Sequence, residues 1–228
     1  MKVTYIGHSG YLVKCEHVNF LFDYYEGSVP KMDLDKKLIV FVSHFHHDHF
    51  NKGIFDLLKY HSNVSYVFSS DVKTTHEVDV LISPNEKVKF ENIDIETLKS
   101  TDSGVAFLIN VEGKVIYHAG DLNLWLWNEE TNEDNQLMQE NFSKEIEKLK
   151  NKKIDIAFIP LDPRQEEYEF SGIEELLEKV KVKTIFPMHF WNDYSIIERY
   201  NASHEHKVMD VNRKGQTFKI KEKENEDA

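Results

Sequence analysis

Apolar residues in this chain fall mainly in short runs, and only three segments carry a helical stripe. Residues 3–6, 11–15 and 18–22 are strand-like and closely spaced, with Gly7-His8-Ser9-Gly10 and Glu16-His17 as the breaks between them. Leu38-Ile39-Val40-Phe41-Val42 is continuously apolar, the pattern of a strand buried on both faces. A short amphipathic helix over 51–60 follows, with Ile54, Leu57 and Leu58 at helical spacing and Asn51 as its N-cap. Further strands are predicted at 64–68, 80–82, 87–90, 93–98, 105–111, 114–117, 154–159, 183–186 and 216–221. Glu91-Asn92 and Glu112-Gly113 each close a two-residue hairpin, with Asn92 tolerating the positive φ of the first. Thr131-x-x-Asp134 opens a long helix whose stripe is Phe142, Ile146 and Leu149, an excursion placed to cover the mouth of a site. Ser171-Gly172-Ile173-Glu174 reads as a capping box ahead of Ile173, Leu176, Leu177 and Val180. A short helix over 194–200 and a fraying charged tail over 221–228 complete the chain. The second half repeats the first in outline, and no linker interrupts 1–228, so one domain is expected.

The chemistry concentrates just after the apolar run 38–42. His44, His46, His47 and His49 place four imidazoles in six positions, with Asp48 among them, in a tight strand-to-helix turn. Side chains in such a turn converge beyond the strand end, where open α/β sheets hold their sites. Imidazole and carboxylate together suit zinc or a similar first-row divalent ion.

His44-x-His46-x-Asp48-His49 is the His-x-His-x-Asp-His signature, and the chain resembles the metallo-β-lactamase superfamily of hydrolases. The resemblance runs from Asp23, which matches the first motif, to His189 at the end of the 183–186 strand. It implies an α/β fold, a four-layer αββα sandwich, with the metal site along one edge of both sheets. It also implies that His44 and His46 serve one metal position and Asp48, His49 and His189 a second. Asp121, in the Gly120-Asp121 pair, would bridge them, and Asp48 would be catalytic by orienting or deprotonating the attacking water. Asp23 would orient the metal loop from behind. One departure stands out: a third histidine usual for the first position is missing, and the register puts Ser100 there, beside Thr101 and Asp102. Asp102 is the better replacement ligand, since a hydroxyl binds such metals poorly. Members with two irons typically carry Glu where this chain has His46, so zinc, one or two ions, is the expected cofactor, with manganese or iron as alternatives. His8 resembles a Gly-His near the active site of the lactonase and lipid-phosphodiesterase branch, and with Trp125 and Trp127 it is a candidate for the substrate pocket.

Composition narrows the function classes. The chain has 228 residues, 40% hydrophobic, with a net charge of −12, which disfavours a nucleic-acid backbone as substrate and leaves small molecules. No apolar run approaches a membrane span, and the first residues read as a strand rather than a leader. One cysteine, Cys15, predicts no internal disulfide, a core thiol and a cytoplasmic location. The expected activity is hydrolysis of an ester, lactone or phosphodiester by a metal-activated water. The alternative is a relative with a degraded site that binds a ligand or partner without turnover. Oligomeric state is not encoded in these patterns.

Overall fold

A computed structural model describes residues 1–220; the expected fraying of 221–228 lies outside the described residues. The chain folds into two facing β-sheets with helices on both outer faces, the αββα sandwich. The first sheet holds β1 (Lys2–Gly7), β2 (Gly10–Lys14), β3 (Val18–Phe22), β4 (Lys37–Val42), β5 (Val64–Ser69), β6 (Val80–Ile82) and β13 (Thr217–Lys219). The second holds β7 (Lys87–Phe90), β8 (Ile93–Lys99), β9 (Val105–Val111), β10 (Lys114–His118), β11 (Lys153–Pro160) and β12 (Lys181–Met188).

The expected repetition of the two halves is real and topological. β1, β2 and β3 form an antiparallel meander, and β3, β4, β5 and β6 then run parallel. β7 to β10 likewise form a meander, and β10, β11 and β12 run parallel. Most of the candidate site side chains follow the C-terminal ends of β3, β4, β10, β11 and β12, while His8 and Asp102 come from the β1–β2 and β8–β9 turns of the two meanders.

The continuous apolar run of β4 has a plain cause. Ile39 and Phe41 enter the core between the sheets, while Leu38, Val40 and Val42 pack under helix α1 (Gly53–Leu58) with Ile54, Phe55 and Leu58. Across the sheets Phe41 meets Phe107 at 5.1 Å and Tyr11 meets Phe158 at 4.6 Å between ring centroids. Each fully buried phenylalanine there contributes roughly 1.5–3 kcal/mol of transfer free energy. The second sheet is covered by α2 (Asn132–Glu147) and α3 (Ser171–Lys179), whose Phe142, Ile146, Ile173 and Leu176 join the same core, and α4 (Ser195–Ser203) adds Ile196, Ile197 and Tyr200. Thr131 caps α2 as expected, accepting from the Asp134 N–H at 3.1 Å. The helix is a layer of the sandwich rather than a cover, and it contributes Met138 to the cleft described below.

Three local expectations need correction. The capping box at Ser171 does not form, because the helix already includes Ser171 and starts from Phe170; Glu174 instead pairs with His204 at 2.7 Å. The positive φ of the 91–92 turn falls on Glu91, at 52°, not on Asn92, as the first position of such a turn can require. The first helix is shorter than 51–60, although the Asn51 Oδ1 does accept from the Gly53 N–H at 2.8 Å. Among the described residues, no helix is long and apolar enough to cross a membrane.

Candidate metal centre

Asp23, at the end of β3 with φ of 38°, is buried and holds the histidine-rich turn from beneath. Its Oδ1 accepts the Ser43 N–H at 2.8 Å, and its Oδ2 accepts the Ser43 hydroxyl at 2.6 Å. Oδ2 also lies 2.7 Å from Nδ1 of His49. A carboxylate on Nδ1 makes that nitrogen the N–H of the neutral ring, so that Nε2, facing the cleft, offers its lone pair once its proton is released. Burial alone would raise the Asp23 pKa; the imidazoles of His118 and His49 outweigh it and hold the carboxyl below its usual range.

Two glycines let the other loops reach this turn. Gly104, with φ of +68°, would place a Cβ 2.0 Å from the Ser43 carbonyl oxygen. Gly120, with φ of +53°, would place one 2.8 Å from the Ser43 Cβ. Only a residue without a side chain fits either spot, so the 100–104 loop and the loop after β10 close onto Ser43 and His44. That close approach brings Asp102 and Asp121 to the histidines.

The result is two clusters that share a wall. Ligand-capable atoms of His44, His46, Asp102 and Asp121 lie within 4.8 Å of one another, and those of His8, Asp48, His49 and His189 do the same. Asp121 sits between the clusters. Its Oδ2 is 3.4 Å from His44 Nε2, while its Oδ1 is 3.0 Å from His49 Nε2 and 3.5 Å from His189 Nε2. In the first cluster His46 Nδ1 is 3.3 Å from Asp102 Oδ2. In the second, His8 Nε2 is 3.3 Å and His189 Nε2 3.8 Å from Asp48 Oδ2.

The donor set fits divalent metal. His8 Nε2, His44 Nε2, His49 Nε2 and Asp121 Oδ1 are all buried and lack a properly formed hydrogen bond. Four such orphaned atoms would each be costly in a finished protein core, and here they converge. Charge follows the same logic. Burial pushes Asp121 up, but His49 and His189 outweigh it and hold the carboxyl well below its usual range. Burial pushes His49 down, but Asp121 and Asp23 on either side raise it well above the ordinary imidazole value. His8 is dominated by burial, which lowers it to about 4 despite its contact with Asp48.

The structure brings together every residue expected as a metal ligand or pocket wall, and two positions differ from expectation. His8 was expected on the wall of the substrate pocket; its left-handed φ of 51° turns the ring inward, and it is a member of the second cluster. Ser100 turns its hydroxyl to the Asp102 N–H at 3.1 Å, and it is Asp102 that faces His46. Trp125 and Trp127 stack with ring centroids 6.2 Å apart and line a cleft of about 580 Å³ together with His46, Asp48, Asp102, Asp121 and His189. His47 stays exposed, and His118 is core, stacked on Phe22 and placing Nε2 3.0 Å from the Ser9 carbonyl oxygen.

Sequence reasoning missed Asp162, Arg164 and Trp191. Asp162 Oδ2 is 2.9 Å from His189 Nδ1, so it serves His189 as Asp23 serves His49. The hydrogen bonds from His189 and Arg164 outweigh burial and hold its carboxyl at about 2. The available signal was an aspartate just past the end of a buried strand, two residues after β11, as Asp23 directly follows β3.

The chain is similar to known metal-dependent hydrolases. Among curated proteins, a UPF0173 metal-dependent hydrolase from Bacillus cereus is 28% identical over 229 residues, covering 87% of this chain and 89% of that protein. One from Methanosarcina mazei is 26% identical over 225 residues, covering 87% and 86%. Among solved structures, Igni18, a metallo hydrolase from Ignicoccus hospitalis, superposes with a TM-score of 0.68 at 17% identity, over 96% of this chain and 99% of that one. The model of the beta-lactamase superfamily domain matches residues 2–189, and with the sandwich and its two His/Asp clusters this chain belongs to that metallo-β-lactamase family.

Proposed function

We propose that the protein is a metal-dependent hydrolase of small-molecule esters, lactones or phosphodiesters, with two zinc ions as its cofactor. The observation that carries the reading is Asp121, one carboxylate facing both clusters, with buried imidazole nitrogens left without hydrogen bonds around it. His44, His46, Asp102 and Asp121 would hold one ion, and His8, Asp48, His49, His189 and Asp121 the other. Divalent metal in this setting supplies Lewis acidity and lowers the pKa of water toward neutrality. The protein's own part is orientation and proton handling. Asp23 and Asp162 fix the tautomers of His49 and His189, so that Nε2 of each faces the cleft. Asp48 lines the cleft, and its carboxyl is held low by His8 and His49 against the opposing effect of burial. It is therefore ionised at neutral pH and placed to take a proton from the attacking water. Trp125, Trp127 and Trp191 wall the cleft and exclude bulk water from the reacting group. Its curated relatives, named as metal-dependent hydrolases, support the same reading.

The test is plasma mass spectrometry for zinc, manganese and iron on the purified chain, beside turnover of aryl esters, lactones and phosphodiesters. The wild type is expected to carry close to two ions per chain. Asp121→Ala should lose metal from both clusters, with turnover falling by more than the roughly 10–100-fold typical of losing an orienting partner. Retention of full metal and activity in that variant would sink the reading.

A further inference from the structure

The wall of the cleft holds a cation that the proposed hydrolysis does not use. Among the described residues lining the cleft, Arg164 is the one lysine or arginine. Its Nε lies 2.9 Å from Asp162 Oδ1 and its Nη2 2.5 Å from Asp162 Oδ2, the two-point pairing of a guanidinium with a carboxylate. Its planar head lies over Trp191 at 4.6 Å and over Trp127 at 6.0 Å from the ring centroids. Nη1 has no hydrogen-bond partner among the described residues, and the side chain is about half-exposed.

The loop around it is built to hold this position. Asp162 also accepts the Arg164 N–H at 2.9 Å, with Pro163 fixing the first step of the turn. The next residue, Gln165, is buried; its Nε2 donates to the Leu124 carbonyl at 2.8 Å and its Oε1 accepts from Asn123 Nδ2 at 2.9 Å. That welds the Arg164 turn to the segment carrying Trp125 and Trp127. Glu166 then adopts φ 52°, ψ −115°, a conformation that a non-glycine residue keeps only when its surroundings impose it. Asp162 alone would need none of this: a carboxylate partner for His189 does not require a guanidinium stacked on indoles at the cleft surface.

We propose that Arg164 anchors an anionic oxyacid group of the substrate, so that the enzyme acts on small molecules carrying a carboxylate or phosphate beyond the bond it cleaves. This rests on the hydrolase reading above. The stacking indoles and Asp162 fix two sides of the guanidinium and leave the Nη1 edge to receive an oxygen. Arginine suits the task because its fork is pre-organised and always charged. The anchored group lies one carboxylate and one imidazole ring from the second cluster, through Asp162 and His189, which a small substrate spans.

Binding is tested apart from turnover. Metal-free protein is titrated with inorganic phosphate and with glutarate while tryptophan fluorescence is followed, since Trp127 and Trp191 touch Arg164. A saturable change is expected with at least one anion, about tenfold weaker or more in Arg164→Gln and partly restored in Arg164→Lys. The anion bound more tightly identifies the group. No saturable response to either, or equal affinity in Arg164→Gln, overturns the proposal whatever the enzyme hydrolyses. Turnover by metal-loaded protein then compares the mono-4-nitrophenyl ester of glutaric acid with 4-nitrophenyl butyrate. The ratio of their kcat/KM values should fall about tenfold in Arg164→Gln, mostly through KM. An equal fall for both esters, accompanied by metal loss, would make Arg164 a support for Asp162 only and also overturn it. Absence of turnover in the wild type would count against the hydrolase reading, while the fluorescence titration still decides the anchor.

Discussion

The two candidate metal clusters differ in what stands behind them. In the second, each of His49 and His189 has its Nδ1 on a fully buried carboxylate, at 2.7 Å from Asp23 and 2.9 Å from Asp162. All four of its members are buried. In the first, His44 Nδ1 leans on the Ser43 hydroxyl at 3.0 Å, and His46 Nδ1 is itself the atom facing Asp102. The side chains of His46 and Asp102 are 35% and 44% exposed. One cluster is therefore locked by a buried outer layer, and the other is half-open and closed by a loop carboxylate. Rigidly oriented, desolvated ligands lose less freedom on binding an ion, so the second cluster should bind more tightly.

The largest test of that difference is to disable each cluster in turn. His189→Ala should strip the second cluster and leave at most a weakly held ion that dialysis removes. His46→Ala should leave one ion that survives dialysis. Metal content after dialysis, with circular dichroism to verify folding, reads both. A tightly held ion in His189→Ala and none in His46→Ala would reverse the ranking.

The orienting carboxylates give the next effect. Asp162→Asn keeps the shape but can no longer hold the His189 N–H as a charged acceptor. It should weaken metal in the second cluster by roughly 10–100-fold, measured by competition with a chelator. No loss would mean that burial alone orients His189.

How much of this contrast the sequence disclosed depends on distance along the chain. The 44–49 turn stands out in the sequence because its imidazoles and carboxylate are neighbours and follow a strand whose burial on both faces makes it continuously apolar. Asp121 and His189 were legible through their strand ends and their order. Asp102 was picked over Ser100 and Thr101 on ligand chemistry alone; that it reaches His46 depends on Gly104 pressing its loop against Ser43 and His44, a contact between segments far apart in the chain. Asp162 carried a signal of the same kind as Asp23, but it needed the pairing of β11 with β12 to place it under His189. The strands were readable for a related reason: most are bounded by glycine, asparagine or charged turns. The capping box at Ser171 fails because the helix starts one residue earlier, from Phe170, and Glu174 lies against His204 instead.

Acidity provides a further handle on the second cluster. In metal-free protein His49 is raised well above 6.5 by Asp121 and Asp23, so its proton sits where the ion would bind. A raised folded-state pKa contributes stability that is fully present below the unfolded value near 6.5 and is lost as pH rises through the folded value. Metal uptake must release that proton, so affinity should rise about tenfold per pH unit until His49 deprotonates. The gap in Tm between metal-loaded and metal-free protein should therefore widen from pH 6 to pH 9. A constant gap would place His49 neutral before metal arrives.

The smallest effect belongs to the open cluster, and it tests the comparison from the other side. Asp102 is half-exposed, so water can stand in for its carboxylate, and Asp102→Asn should weaken metal in the first cluster by less than about tenfold. Asp102→His instead supplies the imidazole this chain lacks, at a position already facing His46. If openness alone makes the first cluster weak, the new imidazole will be too loosely held to help, and chelator competition will give an affinity like that of the wild type. If the missing imidazole is the cause, affinity should rise about tenfold toward that of the second cluster. The variant therefore separates ligand chemistry from ligand support. The buried carboxylates behind His49 and His189 argue for support, so the expected gain is small unless the 100–104 loop is also tightened.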